Sequence, residues 1–212
     1  MIEFAEHLKA IHRELAREDG QVVGVRLTRT YDATAEDVWD AVTDPARLRR
    51  WFLPVSGDLR EGGDFQLEGN AGGDILACEP PRRLRVTFGG ETSIVEVRLV
   101  PEEGGERTTL ELEHTVPPEM AAGGAGALYV GPGWDGGLLA LGLHVGGEVG
   151  EDHDPVAAAD SPATQRFTLS SIGLWTAVVE EAGSSSAEDL AAAVDVAEAQ
   201  FAPDVDRAGG AP

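Results

Sequence analysis

The chain has 212 residues, of which 42% are hydrophobic, and this is enough for one domain with a hydrophobic core and additions. Its formal net charge of −22 argues against nucleic acid and anionic membrane surfaces as partners, because both are polyanions. Since the apolar runs are too short to span a bilayer, no signal peptide is visible and Cys78 is the single cysteine, we expect a cytoplasmic protein without intrachain disulfides.

The first predicted element is an amphipathic helix over residues 2–18, which the pair Asp19-Gly20 would end. Its apolar residues fall mostly on one stripe and comprise Ile2, Phe4, Ala5, Leu8, Ile11 and Leu15. We assign residues 1–20 to this N-terminal helix and residues 21–148 to the main domain.

The stretch VVGVRLTRTY (22–31) follows and alternates between apolar and polar residues. Val23, Val25, Leu27 and Tyr31 lie on one side of the predicted strand, opposite a polar side that includes Arg26. This alternation predicts a half-buried strand.

Two short helices are predicted within TAEDVWDAVTDPARLRRWF (34–52). Thr34 and Asp37 have the spacing of a capping box, and Asp44-Pro45 would end the first helix and begin the second. Helices of this length are marginal in water by themselves. We therefore expect their aromatic residues to anchor them on a larger structure.

A series of short alternating segments comes next, separated by Gly-Gly and Pro-Pro pairs. These segments lie near 65–67, 74–78, 83–88, 93–100 and 108–116. This spacing predicts an antiparallel meander, and the whole sheet should have six or seven strands.

One long helix is predicted over residues 126–148. Trp134, Leu138, Leu141 and Val145 are at helical spacing. Each glycine in this helix costs about 1 kcal/mol relative to alanine, so we expect the glycines to permit close packing against the sheet.

The last part of the chain divides into an acidic, flexible linker at 149–160 and a helical extension at 161–212. The extension should contain two helices, because their apolar residues recur at helical spacing after Ser161-Pro162 and after Ser186. Leu174, Trp175, Val178 and Leu190 need burial, so we expect the two helices to pack on the domain or on a second copy, which would give a homodimer through the terminal helices.

The order of these elements predicts an α+β fold in which a curved antiparallel sheet wraps around a long helix. Several stretches also resemble, in order and spacing, the bacterial homologues of the activator of heat-shock protein ATPase, within the START-like (SRPBCC), helix-grip superfamily. These stretches are TAEDVWDAVTDPARLRRWF, DLREGGDFQL (58–67), GGDILACEPPRRLRVTF (72–88), TTLELEHTV (108–116) and GWDGGLLAL (133–141). The resemblance covers roughly residues 22–148 and implies an internal cavity for an apolar or amphipathic small molecule. It implies no shared catalytic motif. The eukaryotic namesakes owe chaperone binding partly to a further domain, and nothing in this sequence resembles that domain.

The candidate ligand-binding residues are those expected to face the space between the sheet and the long helix. They are Trp51, Phe52, Phe88, Val97, Leu112, His114, Trp134 and Leu138. Aromatic residues at such positions are more often core than ligand contacts. His114 stands on the apolar face of a strand, where it could bond a neighbour, contact a ligand or act as an acid or base.

Other chemistry-bearing residues form no recognisable motif. Cys78 has no visible His or Asp relay, so it is better explained as a small buried hydrophobe than as a nucleophile. His144, Glu148, Glu151 and His153 cross a Gly-rich stretch without fixed ligand geometry. We predict no catalytic residues, no metal and no cofactor.

Three function classes follow from this pattern. A protein that binds a hydrophobic small molecule is favoured, while a cavity enzyme of the cyclase, dehydratase or hydrolase type and a protein-interaction module related to chaperone regulation stay open. Converging titratable groups in a pocket would favour the enzyme. A closed core with an exposed apolar patch would favour the interaction module.

Overall fold

An eight-stranded antiparallel sheet forms the centre of the computed structural model, which describes residues 4–150 and 153–205. The strands are β1 (Ile11–Glu18), β2 (Gln21–Tyr31), β3 (Val55–Ser56), β4 (Asp64–Leu67), β5 (Gly72–Glu79), β6 (Arg83–Thr87), β7 (Ile94–Pro101) and β8 (Thr108–Thr115). Their order across the sheet is β1-β2-β8-β7-β6-β5-β4-β3. The predicted α+β, helix-grip architecture is confirmed, with one strand more than the upper expectation.

The helices are α1 (Phe4–Lys9), α2 (Ala35–Thr43), α3 (Pro45–Trp51), a 3-10 helix (Ala125–Tyr129), α4 (Gly131–Val145), α5 (Pro155–Ala159), α6 (Pro162–Ala182) and α7 (Ala187–Phe201). The predicted long helix is therefore divided into the 3-10 helix and α4. Leu138 and Leu141 of α4 belong to the same buried cluster as Leu27 of β2 and Leu112 of β8. This cluster places α4 on the core face of the sheet. Among the described residues, no helix is both long and apolar enough to cross a membrane.

The helix predicted over residues 2–18 is wrong beyond Lys9. Residues 11–18 instead form β1, which pairs with β2 in the register Leu15 opposite Val25. Asp19 and Gly20 both have positive φ, 47° and 81°, which is the backbone of a two-residue hairpin turn. The segment IHRELARE satisfies a period of two as well as a helical period, and the Asp-Gly pair decides for the hairpin. Residues 2 and 3 of the predicted helix lie outside the described residues, as does residue 1.

The two short helices α2 and α3 form as predicted. The Thr34 side chain accepts a hydrogen bond from the Asp37 amide at 3.2 Å, and the Asp44 side chain accepts one from the Arg47 amide at 2.9 Å. Trp39 and Trp51 are each 7% exposed. The aromatic residues therefore hold both helices on the rest of the domain.

The predicted linker contains structure of its own. Asp154 caps α5 by accepting from the amides of Val156 and Ala157, so this part of the predicted 149–160 linker is a short helix. Residues 151 and 152 lie outside the described residues. The same holds for residues 206–212 of the predicted C-terminal extension.

Helices α6 and α7 pack on the main domain. Trp175 is fully buried, and Val179 and Leu190 join the same core cluster as the sheet. The prediction for Leu174 is wrong, since its side chain is 41% exposed. The buried stripe of α6 passes through Ser171 and Trp175, one turn apart, and leaves Leu174 beside it.

Candidate functional site

A cavity of about 200 Å³ lies between the core face of the sheet and the helices α2, α3 and α4. Its walls are apolar almost throughout. Thr43, Cys78 and Gly137 are the lining residues without a large hydrocarbon side chain. Strands β4 to β8 provide one side of the cavity and α4 provides the opposite side through Leu138 and Leu141.

Aromatic side chains occupy two parts of the wall. Trp51 and Phe52 at the end of α3 stack with ring centroids 5.4 Å apart. Phe88 lies 6.3 Å from Phe65 and 5.4 Å from Trp134, again between ring centroids. The cavity is thus flanked by an aromatic pair from α3 and by an aromatic trio from β4, α4 and the end of β6.

The structure brings seven of the eight predicted ligand-binding residues together around this cavity. They are Trp51, Phe52, Phe88, Val97, Leu112, Trp134 and Leu138. A role for them in ligand binding stays a prediction. The eighth residue, His114, is 7% exposed and contacts the rings of Phe88 and Trp134 without lining the cavity itself.

His114 is bonded through both ring nitrogens. Trp134 Nε1 donates to His114 Nδ1 at 3.0 Å, and His114 Nε2 lies 2.8 Å from Ser93 Oγ. Because Nδ1 accepts, the neutral ring carries its proton on Nε2 and donates it to Ser93. Burial lowers the pKa of His114 to about 4. In this arrangement the imidazole orients Trp134 and does not take a proton from the Ser93 hydroxyl.

The cavity reaches the surface beside the loop between β3 and β4. Leu59 of this loop lines the cavity and is 40% exposed. Next to it, Glu61 Oε2 accepts a hydrogen bond from the Cys78 amide at 3.1 Å. Burial and the Glu61 carboxylate both raise the pKa of the Cys78 thiol, so this cavity-lining sulfur is held in its protonated form.

A buried arginine on β2 was missed in the sequence. Arg29 lies on the core face, where Nη1 donates to the Leu138 carbonyl at 2.8 Å and Nη2 lies 2.8 Å from His7 Nδ1. The guanidinium also stands 4.9 Å from the centre of the Tyr31 ring. The sequence contained a signal for it, because Arg29 lies between Leu27 and Tyr31 at every second position of the predicted strand and so on its apolar side.

A second buried polar cluster joins α4 to β1 and α6. Asp135 is completely buried, and its Oδ2 accepts from Arg13 Nε at 2.8 Å, from Trp175 Nε1 at 3.2 Å and from the Ser171 hydroxyl. Burial raises the pKa of Asp135 although these donors act in the opposite direction. Sequence reasoning missed this cluster because it placed residue 13 in a helix, whereas residues 11–18 form β1.

One of the residues considered for a metal site, His144, contacts other side chains. His144 accepts from Arg47 Nε at 3.3 Å and stacks on Trp51 with ring centroids 6.5 Å apart. Within residues 4–150 and 153–205, no group of three His, Cys, Asp or Glu side chains could hold a metal ion. Glu151 lies outside the described residues.

Comparisons with known proteins agree with the geometry of this domain. Residues 32–139 match the family model described as Activator of Hsp90 ATPase homolog 1-like protein. The crystal structure of CalU16 from Micromonospora echinospora is 38% identical, with 81% of this chain and 99% of that chain covered and a TM-score of 0.62. The solution structure of the same protein is 39% identical, with 82% and 94% covered and a TM-score of 0.62.

A more distant structure, EF2215 from Enterococcus faecalis, shares the fold alone. It is 17% identical, with 82% of this chain and 95% of that chain covered and a TM-score of 0.58. No curated protein sequence matches the chain. The family match covers half of the chain, and CalU16 extends the similarity over four fifths of it. The chain therefore belongs to the Activator of Hsp90 ATPase homolog 1-like family.

Proposed function

We propose that this protein binds a small apolar or amphipathic molecule in the cavity between the sheet and α4. The observation that carries the proposal is the cavity of about 200 Å³, with walls made almost entirely of hydrocarbon side chains. Concave apolar sites with few polar groups are typical of small-molecule binding. An engineered apolar cavity of about 150 Å³ is known to hold benzene, so this cavity suits a small ligand or the apolar part of a larger one.

The polar groups around the cavity favour binding over catalysis. Cys78 is the titratable residue among those that line it, and its pKa is raised. His114 is occupied by Trp134 and Ser93 on its two nitrogens. An enzyme of the cyclase, dehydratase or hydrolase type would need groups for proton transfer directed at the substrate, and these two residues are not arranged in that way.

Gly137 offers a direct test of the proposal. It lines the cavity, and a Cβ atom placed on it would meet nothing within 4 Å. Gly136, its neighbour on α4, is equally free of contacts but does not line the cavity. Gly137→Leu should therefore fill the cavity, and Gly136→Leu is the matched control on the same helix.

Binding should be measured by calorimetry and by NMR line broadening with three neutral probes: 1-octanol, 1-naphthylmethanol and its fully saturated analogue. We expect at least one probe to bind wild type and Gly136→Leu with a Kd below about 1 mM, which corresponds to roughly 4 kcal/mol. Gly137→Leu should weaken that binding at least tenfold with an unchanged melting temperature or a higher one. Absence of binding by all three probes, or equal binding by both variants, would overturn the proposal.

A further inference from the structure

The cavity wall is richer in aromatic side chains than the chain as a whole, of which 6% is aromatic. Five of its lining residues are aromatic: Trp51, Phe52, Phe65, Phe88 and Trp134. They stand in two groups, the α3 pair and the trio around Phe88, whose members are 5.4 to 6.3 Å apart between ring centroids. Aromatic rings attract one another in stacked and edge-to-face arrangements beyond the effect of buried area. A flat aromatic ligand would gain this attraction, and a saturated ligand of the same size would not.

The N–H and O–H donors among the lining side chains are already bonded inside the protein, which leaves the weak S–H donor of Cys78. Trp51 Nε1 donates to the Ala41 carbonyl at 2.9 Å, and Trp134 Nε1 donates to His114 at 3.0 Å. The Thr43 hydroxyl donates to the Trp39 carbonyl at 2.7 Å. A ligand carboxylate inside the cavity would meet none of these protons, and an unpaired buried charge is strongly disfavoured.

The charge at the mouth of the cavity also acts against anions. We call the surface end of the cavity beside the exposed Leu59 its mouth. The Glu61 carboxylate does not line the cavity, but its bond to the amide of the lining residue Cys78 holds it two positions from Leu59, close enough that it raises the pKa of the Cys78 thiol. The whole chain carries a formal charge of −22, which repels anions and attracts cations at a distance. An ammonium group at the mouth would face Glu61, whereas a carboxylate there would face a like charge.

We propose that the cavity selects a planar aromatic group of one or two rings, carried by a neutral or cationic molecule whose polar end stays at the mouth beside Glu61. This rests on the proposed function, since it names the class of ligand that the same cavity takes. The size of the cavity and its aromatic walls favour a planar ring system of one or two rings. The internally bonded donors and Glu61 disfavour a negative charge on the ligand.

Four probes separate the effect of the aromatic ring from the effect of the ligand charge: 1-naphthylmethanol, its fully saturated analogue, 1-naphthylmethylamine and 1-naphthoate. We expect the aromatic alcohol to bind about 2- to 10-fold more tightly than the saturated alcohol, which is the range that aromatic pairing contributes. The amine should bind at least as tightly as the aromatic alcohol, and the carboxylate at least about tenfold more weakly than the amine at low salt.

Glu61→Gln tests the charge at the mouth. It should remove the advantage of the amine over the carboxylate and leave the affinity for the neutral alcohol unchanged. Glu188→Gln, on the exposed first turn of α7, changes the net charge by the same amount as Glu61→Gln. It should alter neither the advantage of the amine over the carboxylate nor the affinity for the neutral alcohol.

The possible results separate this proposal from the proposed function. If the saturated alcohol binds as tightly as the aromatic one, or the carboxylate as tightly as the amine, the ligand class is wrong while the binding function stands. If Glu188→Gln changes amine binding as much as Glu61→Gln does, the role of Glu61 is wrong. If none of the probes binds, the proposed function fails and this proposal fails with it.

Discussion

Trp134 Nε1 donates a hydrogen bond to His114 Nδ1 at 3.0 Å, and this contact ties the cavity wall on α4 to strand β8. The bond requires a neutral imidazole, because a protonated ring carries hydrogen on both nitrogens and cannot accept. His114 is 7% exposed, so its charged form would also be poorly solvated. The orientation of Trp134 in the wall therefore depends on the protonation state of His114.

The first prediction concerns the pH dependence of stability. Burial lowers the pKa of His114 to about 4 in the folded protein, against about 6.5 in the unfolded chain. Between these values the unfolded state binds more protons, so the free energy of unfolding falls as the pH drops from 6.5 towards 4. We expect His114 to account for a loss of about 3 kcal/mol across this window, since one pKa unit corresponds to about 1.4 kcal/mol.

Urea unfolding of wild type and His114→Gln at several pH values measures this contribution. The variant keeps a polar side chain at the site but cannot titrate there. The difference between the two free energies of unfolding should shrink as the pH falls, because the other titrating groups are common to both proteins. Parallel curves from pH 7 to pH 4.5 would show that His114 does not stay neutral in the fold.

The second prediction concerns Trp39, which holds α2 on the sheet and is 7% exposed. Trp39→Ala should lower the free energy of unfolding by about 3–5 kcal/mol, the range for large-to-small changes in a core. Leu76→Ala is a suitable control, because Leu76 is 42% exposed and its truncation should cost well under that amount. Equal midpoints of urea unfolding for the two variants would contradict the anchoring role of Trp39.

The sequence predicts correctly those elements whose ends are determined by neighbouring residues, such as helix caps and turns. The caps at Thr34 and Asp44 and the Gly- or Pro-bounded strands are of this kind, and they define the cavity walls well enough to identify seven of its lining residues. The segment 11–18 was misassigned because its pattern satisfies two periods and Asp19-Gly20 was interpreted as a helix end, whereas the pair forms the hairpin turn that pairs β1 with β2.

The buried polar clusters could not be predicted in the same way. Asp135 and Arg13 are separated by 122 positions, and their contact depends on β1 being a strand. The bonds from Ser171 and Trp175 depend in addition on α6 folding back onto α4. Polar residues of this kind look like surface residues in a sequence, since charged side chains are mostly exposed. Their partners become visible only when distant elements are placed together.

The third prediction concerns the Asp135 cluster. Asp135→Ala should lower the free energy of unfolding by about 3–5 kcal/mol, because it leaves the Arg13 guanidinium buried without a counter-charge. Replacement of both partners by apolar residues, Arg13→Met with Asp135→Leu, should recover much of that loss. A double variant no more stable than Asp135→Ala would show that the Ser171 and Trp175 bonds, not the ion pair, account for the effect.

The last prediction separates two kinds of glycine on α4. A Cβ atom on Gly142 would lie 2.4 Å from Arg29 Nη2, whereas one on Gly136 would meet nothing within 4 Å. The Arg29 side chain cannot easily move away, since it is buried and bonded to the Leu138 carbonyl and to His7.

Gly142→Ala should therefore lower the free energy of unfolding by about 1–3 kcal/mol, the usual cost of overpacking, although alanine is the better helix former. Gly136→Ala should raise it by up to about 1 kcal/mol, because only the helix propensity changes. Thermal and urea unfolding of the two single variants beside wild type measures both effects. If Gly142→Ala is as stable as Gly136→Ala, the guanidinium can give way, and Arg29 does not hold α4 against β2 as tightly as its bonds indicate.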